Sequence, residues 1–211
     1  MTITRKRSRR AKGPKKDLPL RMKPRSATGT DAPATAPSGP VAARPRIPGY
    51  GIVGEKDGRG LLPWSWAEER LAAGHNYFVA TTRPDGRPHV MPVWGVWWQG
   101  AFWFSTGEKT VKARNVAANP NCTVCPERAD EAVILEGVAE WVPASDALQP
   151  MWAAYHKKYA WDVKGSGFFA VRPRTAFGFI EKDQLFTKTA TRWSFETISP
   201  SRPSGPAGAA S

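Results

Sequence analysis

Three short apolar runs separated by tight turns constrain the fold of this chain more than any other feature of its sequence. Residues 75–82, 87–98 and 101–106 are rich in β-branched and aromatic side chains, which favour strands. Residues 83–86 place a proline and a glycine where a tight turn requires them, and residues 99–100 make a second short connection. Because strands joined by such short connections run in opposite directions, this region predicts a three-stranded antiparallel meander.

The rest of the central region alternates between helix and strand patterns. Helices are expected at residues 65–73, 108–118 and 143–161. Further strands are expected at residues 121–126, 131–142 and 167–180. About six strands, joined mostly by short turns and interrupted by helices, predict a mainly β fold that closes, or nearly closes, into a barrel.

The positive charge of the chain is concentrated at its N-terminus. Residues 1–46 hold 13 Lys and Arg against two Asp, a net charge of +11, whereas residues 47–211 hold 18 basic and 16 acidic residues, a net charge of +2. Residues 1–48 contain almost no large apolar side chains, so we expect them to form a disordered basic tail, and residues 199–211 to form a second disordered tail. The folded domain is therefore expected at residues 49–198.

The basic tail allows two interpretations. Its 13 cations would hold a nucleic acid or another anionic surface electrostatically. However, no aromatic side chain stands among them to stack on bases, which favours a solvated tail, or an extension produced by a wrongly chosen start codon. With no apolar run of about 18 residues, no secretory signal and only two cysteines, the chain is expected to be cytoplasmic.

A strand that ends in two hydroxyl side chains and leads into a helix is the candidate phosphate site. Ser105 and Thr106 would donate hydrogen bonds, and Lys109 and Lys112 would supply positive charge. The first turn of a helix adds unpaired N–H groups and a partial positive charge, both of which attract phosphate. The same pattern also fits an ordinary strand, turn and helix with lysines on its surface.

The second predicted strand carries residues that would suit a flat ring. Alternation places Val90, Pro92 and Trp94 on one face and Met91 and Val93 on the other. Pro92 has no N–H for a ladder hydrogen bond, so the strand is expected to be open or at an edge there. An open strand with adjacent aromatic side chains would lie along a conjugated ring, although the same residues would also suit a barrel core and a dimer surface.

Histidine and cysteine side chains give weaker signals. His89 would act either as a general acid or as a packed strand residue. Cys122 and Cys125 have CxxC spacing, but on a strand they point to opposite faces, and no second pair completes a tetrahedral zinc site. We interpret them as buried structural cysteines. Neither a Rossmann nor a P-loop glycine motif is present.

Several short motifs follow one another in a characteristic order. They are Thr-Arg-Pro-Asp-Gly-Arg-Pro-His (82–89), Met-Pro-Val-Trp (91–94), Phe-Trp-Phe-Ser-Thr (102–106), Lys-Ala-Arg-Asn-Val (112–116) with Asn-Pro (119–120), and Thr-Arg-Trp-Ser-Phe (191–195). In this order the sequence resembles the pyridoxamine 5′-phosphate oxidase-like split-barrel superfamily, and more closely its flavin- and deazaflavin-dependent oxidoreductases. The resemblance implies a six-stranded split β-barrel that binds FMN or coenzyme F420 at the interface of a homodimer.

By this resemblance, one group of residues lines the cofactor ring and another holds its phosphate. The ring-lining positions are His89, Met91, Pro92, Val93 and Trp94. The phosphate positions are Ser105, Thr106 and Lys112, with Lys109 and Arg114 nearby. Many members carry a basic residue at one of the two positions before the matched lysine. This chain has Thr110 and Val111 there, and Lys109 would substitute.

The resemblance also bears on the reaction. True pyridoxamine phosphate oxidases are implied to grip the substrate phosphate with an Arg-x-His near the C-terminus, whereas this chain has Thr191-Arg192-Trp193 and no histidine after His156. We therefore expect an oxidoreductase that uses F420 or FMN to transfer hydride to or from an unidentified small organic substrate. No dedicated catalytic side chain is expected, because the cofactor carries the chemistry. The Trp-rich strand and the Thr-Arg-Trp-x-Phe ending favour the deazaflavin branch.

A second function stays open beside this one. The same barrel would serve as a non-enzymatic protein that binds haem, another tetrapyrrole or a stored cofactor, because a fold alone does not fix a function.

Overall fold

The computed structural model describes residues 39–53, 58–182 and 184–195. Its strands are β1 (Val41–Ala43), β2 (Arg46–Ile47), β3 (Ile52–Val53), β4 (Tyr77–Thr82), β5 (Pro88–Val93), β6 (Gly95–Trp98), β7 (Ala101–Phe104), β8 (Asn121–Pro126), β9 (Glu131–Val142), β10 (Phe168–Ile180) and β11 (Thr191–Ser194). Its α-helices are α1 (Trp64–Ala73), α2 (Val111–Ala118), α3 (Gln149–Tyr159) and α4 (Leu185–Thr189). Short 3-10 turns lie at Pro48–Tyr50 and Asp146–Leu148.

Nine strands of the described chain form one antiparallel sheet, in the order β1-β11-β10-β9-β8-β4-β5, with β7 paired to both β10 and β6. Strand β10 supports both branches, because Val171 lies opposite Phe102 of β7 and Ala176 lies opposite Trp193 of β11. Pairing connects β5, β4, β8, β9, β10, β7 and β6 in one row, and the chain at Trp94, rather than strand pairing, joins β6 to β5 and completes a circuit of strands. The predicted mainly β fold with inserted helices is confirmed.

The second predicted strand is broken in two at Trp94. Its first half, β5, pairs with β4, and its second half, β6, pairs with β7, so the predicted three-stranded meander is instead two hairpins. The break coincides with Gly95, where a Cβ atom would collide with the ring of Phe102 and the carbonyl group of Trp103. This break, together with β1 and β11, gives nine strands in the sheet where about six were expected.

Two hydrophobic cores form on opposite faces of the strands. The larger one includes the fully buried side chains of Tyr77, Leu135 and Trp193. The smaller one lies beneath α3, where Met151 and Phe168 are fully buried. Because burying a large apolar side chain stabilises a fold by about 1.5–3 kcal/mol, these contacts hold α3 against the sheet.

Strand β1 lies inside the segment that was expected to be disordered. It pairs with β11, with Ala42 opposite Trp193. The Arg44 guanidinium group donates hydrogen bonds to the carbonyl oxygens of Arg59 (2.6 Å), Lys188 (2.6 Å), Thr187 (3.2 Å) and Ala190 (3.2 Å). The predicted disorder is therefore wrong for residues 41–47, because long-range contacts order a segment whose local sequence has no strand pattern.

The remaining parts of the predicted tails, residues 1–38 and 199–211, lie outside the described residues, and so does the nucleic-acid interpretation of the basic tail. Within the ranges that the structure covers, no helix combines the length and the apolar character needed to cross a bilayer.

Candidate functional site

The candidate phosphate site lies where β7 leads into α2. The hydroxyl oxygens of Thr106 and Thr110 are 3.3 Å apart. Thr110 is the N-cap of the helix, because its Oγ1 accepts a hydrogen bond from the Ala113 N–H at 3.3 Å. This cap starts α2 at Val111, three residues later than the predicted start, and places two hydroxyl groups at the end of the helix that attracts anions.

Lys112 lies in the first turn of α2 and is partly buried, as are Ser105 and Thr106. Burial lowers the pKa of the Lys112 ammonium group. Among the described residues, Lys112 has neither an ion pair nor a hydrogen bond that would offset this loss of water. A cation that is partly desolvated without a counter-charge is unfavourable, so the position fits an anionic group of a ligand.

The other two cations of the predicted set lie differently. Lys109 is exposed in the turn before α2. Arg114 is exposed on α2 and, being two residues beyond Lys112, points from the opposite side of the helix. The structure therefore places Lys112 in the first turn of α2, directly after the Thr110 cap, and directs Arg114 away from Lys112.

A buried polar network connects α2 to the predicted ring-lining strand. The Asn115 amide donates a hydrogen bond to Thr81 Oγ1 at 2.9 Å, and this hydroxyl donates to the His89 carbonyl oxygen at 3.3 Å. The His89 Nδ1 atom lies 3.5 Å from the same hydroxyl. Asn115 is 2% exposed and Thr81 is 4% exposed. Since Asn115 and Lys112 are three residues apart on α2, they lie on the same side of the helix, the side on which Asn115 contacts β4.

Strand β5, the predicted ring-lining segment, is an end strand of the sheet order. This agrees with the expectation that the strand is open or at an edge near Pro92. Met91 and Pro92 are exposed, whereas Val93 is only 8% exposed and belongs to the larger core. Exposure along β5 does not alternate, because Val90, Met91 and Pro92 are all exposed, and the strand ends at Val93.

Trp94 contacts α3 rather than continuing the strand. Its ring stacks on the Tyr159 ring, with centroids 4.9 Å apart and planes at 9°. The Tyr159 hydroxyl accepts a hydrogen bond from the Gly95 N–H at 2.9 Å and lies within donating distance of the His75 and Gly95 carbonyl oxygens. Trp94 remains 39% exposed, so one side of its ring is fixed by the protein and part of it faces solvent.

Comparison with known proteins identifies the family of this fold. The pyridoxamine 5′-phosphate oxidase family model matches residues 67–185, which is more than half of the chain. The chain belongs to the pyridoxamine 5′-phosphate oxidase-like split-barrel superfamily. The superfamily suggested by the sequence motifs is thus confirmed. No curated protein sequence matches the chain.

Several solved structures are similar to parts of this chain. The conserved hypothetical protein Rv2991 from Mycobacterium tuberculosis is 21% identical with a TM-score of 0.50, over 58% of this chain and 87% of its own. An F420 reductase is 23% identical with a TM-score of 0.44, over 58% of this chain and 98% of its own. A haem-binding protein from Mycobacterium smegmatis is 23% identical with a TM-score of 0.44, over 56% of this chain and 55% of its own. These likenesses concern the fold and do not select a ligand.

One cationic site of this superfamily member was not anticipated from its sequence. The Lys158 ammonium group donates hydrogen bonds to the Tyr77 hydroxyl (2.7 Å), the Gly95 carbonyl (3.1 Å) and the Ala72 carbonyl (3.3 Å). Burial lowers the pKa of Lys158 to about 8. Because all three N–H groups of the ammonium are used within the fold, Lys158 joins α3 to α1, β4 and β6. The sequence pattern gives no sign of this role.

The two cysteines lie on one strand, as the sequence pattern predicts. Cys122 is buried and Cys125 is partly buried, and their positions on β8 direct them to opposite faces. Burial raises the pKa of the Cys122 thiol to about 12, which disfavours the reactive thiolate. In the part of the chain that the structure describes, no three His, Cys, Asp or Glu side chains come together as metal ligands.

Proposed function

We propose that this chain binds a phosphorylated flavin or deazaflavin, FMN or coenzyme F420, and transfers hydride to or from a small organic substrate. The observation that carries the proposal is Lys112. It is a partly buried cation with no counter-charge among the described residues, and it lies in the first turn of a helix whose start also holds the Thr106 and Thr110 hydroxyls. A phosphate group would supply the missing charge and accept hydrogen bonds from these donors.

Each part of the site has a separate task in this proposal. Lys112 offsets the phosphate charge, and Ser105 and Thr106 orient its oxygens. The Thr81–Asn115 hydrogen bond fixes α2 against β4, so the phosphate site keeps a constant position relative to His89 and the β5 edge. When bound, the cofactor supplies the hydride chemistry, and the task of the chain is to bind and orient it.

The C-terminal strand supports a reaction other than vitamin B6 oxidation. At the end of the chain where the resemblance would require Arg-x-His, Trp193 is fully buried in the larger core. Thr191 is also fully buried, and its hydroxyl accepts a hydrogen bond from the Leu62 N–H at 2.8 Å. These side chains stabilise the fold and are not available to grip a substrate phosphate.

In this proposal the circuit of strands is a six-stranded split barrel, in which β5 and β6 together form one strand interrupted at Trp94, and the functional unit is a homodimer. Exposed apolar side chains on β4 and β5, namely Phe78 (45%), Val90 (52%) and Met91 (42%), support a second copy of the chain as the partner of this edge. Sedimentation of the full chain tests this point, since a mass twice that of the monomer is expected.

Cofactor titration tests the proposal directly. The full chain contains ten tryptophans, so quenching of their fluorescence reports uptake of FMN or F420. One cofactor is expected to bind per protomer at micromolar concentration. Lys112→Met is expected to weaken binding by roughly 10- to 100-fold, because a hydrogen bond to a charged group contributes about 1.5–3 kcal/mol. Lys157→Met, which removes an exposed lysine of α3, is the matched control and is expected to bind like the wild type.

Three results would contradict the proposal. If neither cofactor binds at micromolar concentration, the chain is not a flavin- or deazaflavin-dependent protein. If a cofactor binds but its reduced form is never reoxidised by any organic acceptor, the chain is a cofactor store, and if haem alone binds, the tetrapyrrole alternative replaces the oxidoreductase.

A further inference from the structure

A cleft of about 470 Å³ opens across β4, β8, β9 and β10 and includes none of the residues proposed to bind the cofactor. Its base is a row of directly opposed residues, one from each strand, which therefore share one face of the sheet. The row consists of Ala80, Thr123, Glu136 and Thr175. Small and hydroxyl side chains leave the space of the cleft open and line it with hydrogen-bonding groups.

Arg174 borders this cleft because of a β-bulge. The pairing of β10 with β9 shifts between Pro173, which lies opposite Gly137, and Thr175, so Arg174 is the extra residue. A bulge redirects the side chain of its extra residue. Gly137 is required opposite the bulge, since a Cβ atom there would collide with the Arg172 carbonyl group. Gly137 thus permits the β-bulge, and the bulge directs the Arg174 side chain to the cleft.

The cleft contains two opposite charges that do not pair. Arg174 and Glu136 both line it, and neither side chain forms an ion pair or a hydrogen bond with any residue in the described ranges. The neighbouring residues of the same two strands behave differently, because Arg172 and Glu140 pair at 3.4 Å. The bulge therefore separates a cation and an anion that regular strand pairing would bring together.

We propose that this cleft binds a small zwitterion that carries both a carboxylate and an ammonium group. The Arg174 guanidinium group presents a fork of N–H donors that matches a carboxylate, and the Glu136 carboxylate accepts hydrogen bonds from an ammonium group. The hydroxyls of Thr123 and Thr175 lie beside Glu136 in the same row and add hydrogen bonds to the ligand. A cleft of this volume accommodates a molecule of amino-acid size.

The test is a heteronuclear NMR titration of the full chain with γ-aminobutyrate as the probe. The amide resonances of Thr123 and Thr175 report binding. Saturable shifts with a dissociation constant on the order of 1 mM are expected. Arg174→Gln and Glu136→Gln are each expected to weaken binding by about tenfold or more, because each removes one charged partner. Arg172→Gln, on the same strand but paired with Glu140, is the matched control and is expected to leave the titration unchanged.

Butyrate and butylammonium, which each carry only one of the two charges, are expected to bind at least about tenfold more weakly than γ-aminobutyrate. Several results would overturn the proposal. These are the absence of saturable shifts, equal binding of butyrate, or unchanged binding in Arg174→Gln. A change in molecular mass on Arg174→Gln would instead assign the two charges to a contact between subunits and would also overturn it. The spectra themselves report whether each variant is folded.

Discussion

The buried hydrogen bond between Asn115 and Thr81 makes a quantitative prediction about stability. Thr81→Val removes the acceptor of the Asn115 amide. Because Asn115 is only 2% exposed, its amide is then left without water and without a partner. An unsatisfied buried polar group costs about 1–3 kcal/mol, and we expect the free energy of unfolding to fall by that amount. Asn115→Leu removes the donor instead, and the Thr81 hydroxyl keeps its hydrogen bond to the His89 carbonyl oxygen.

The double variant distinguishes this network from two independent packing sites. Because Asn115→Leu leaves no amide to satisfy, adding Thr81→Val to it is expected to cost about 1–2 kcal/mol less than Thr81→Val alone. Urea unfolding, monitored by circular dichroism, gives the four free energies of the cycle, provided that the m-value stays constant. Thr82→Val, at the next and exposed position of β4, is the control and is expected to change stability by less than about 0.5 kcal/mol. Additive effects of the two substitutions, within about 0.5 kcal/mol, would refute the reasoning.

Two further predictions concern contacts that the sequence pattern does not reveal. Arg44→Met is expected to lower the free energy of unfolding by roughly 2–3 kcal/mol, because four carbonyl oxygens lose a charged donor, and urea unfolding measures this loss. An unchanged midpoint would show that the Arg44 hydrogen bonds do not stabilise the domain. Lys158 has a pKa of about 8 in the folded chain and about 10.4 when unfolded, so between these pH values the unfolded state binds more protons. Its contribution to stability therefore increases as the pH rises from 8 toward 10. The free energies of unfolding of the wild type and of Lys158→Met, measured at pH 7, 8 and 9.5, are expected to differ increasingly in favour of the wild type. A difference that narrows with pH would contradict the lowered pKa.

The elements that the sequence predicted well are those with strong local patterns. Strands β8 and β9 begin and end at the predicted residues, because alternating apolar side chains are bounded by turn residues on both sides. The N-terminal strand β1 and the last strand β11 were missed, since β1 has three residues, β11 has four, and their pairing with each other and with β10 is long-range. The break at Trp94 was missed because alternation in the sequence continues through it, and the close contact of Gly95 with the Phe102 ring and the Trp103 carbonyl group forms only when β6 pairs with β7.

The candidate site shows the same division between local and long-range information. The hydroxyl and lysine residues at the start of α2 were visible as a motif, and the edge position of β5 followed from Pro92. By contrast, two other contacts join residues that are far apart in sequence. The Asn115–Thr81 hydrogen bond spans 34 positions, and the Lys158–Tyr77 hydrogen bond spans 81. No spacing rule connects such residues before the sheet brings them together. The α2 start shifted to Val111 because Thr110, and not an earlier residue, caps the helix.

Anchoring of a cofactor phosphate by Lys112 is the central claim, and the affinity difference between a cofactor and its phosphate-free form measures it most directly. For FMN the phosphate-free form is riboflavin, and for F420 it is the bare deazaflavin chromophore. The wild type is expected to prefer the phosphorylated form by roughly 10- to 100-fold, and Lys112→Met is expected to lose most of that preference while binding the phosphate-free form as well as the wild type does. Equal affinity of the wild type for both forms, or a preference that survives in Lys112→Met, would contradict the account.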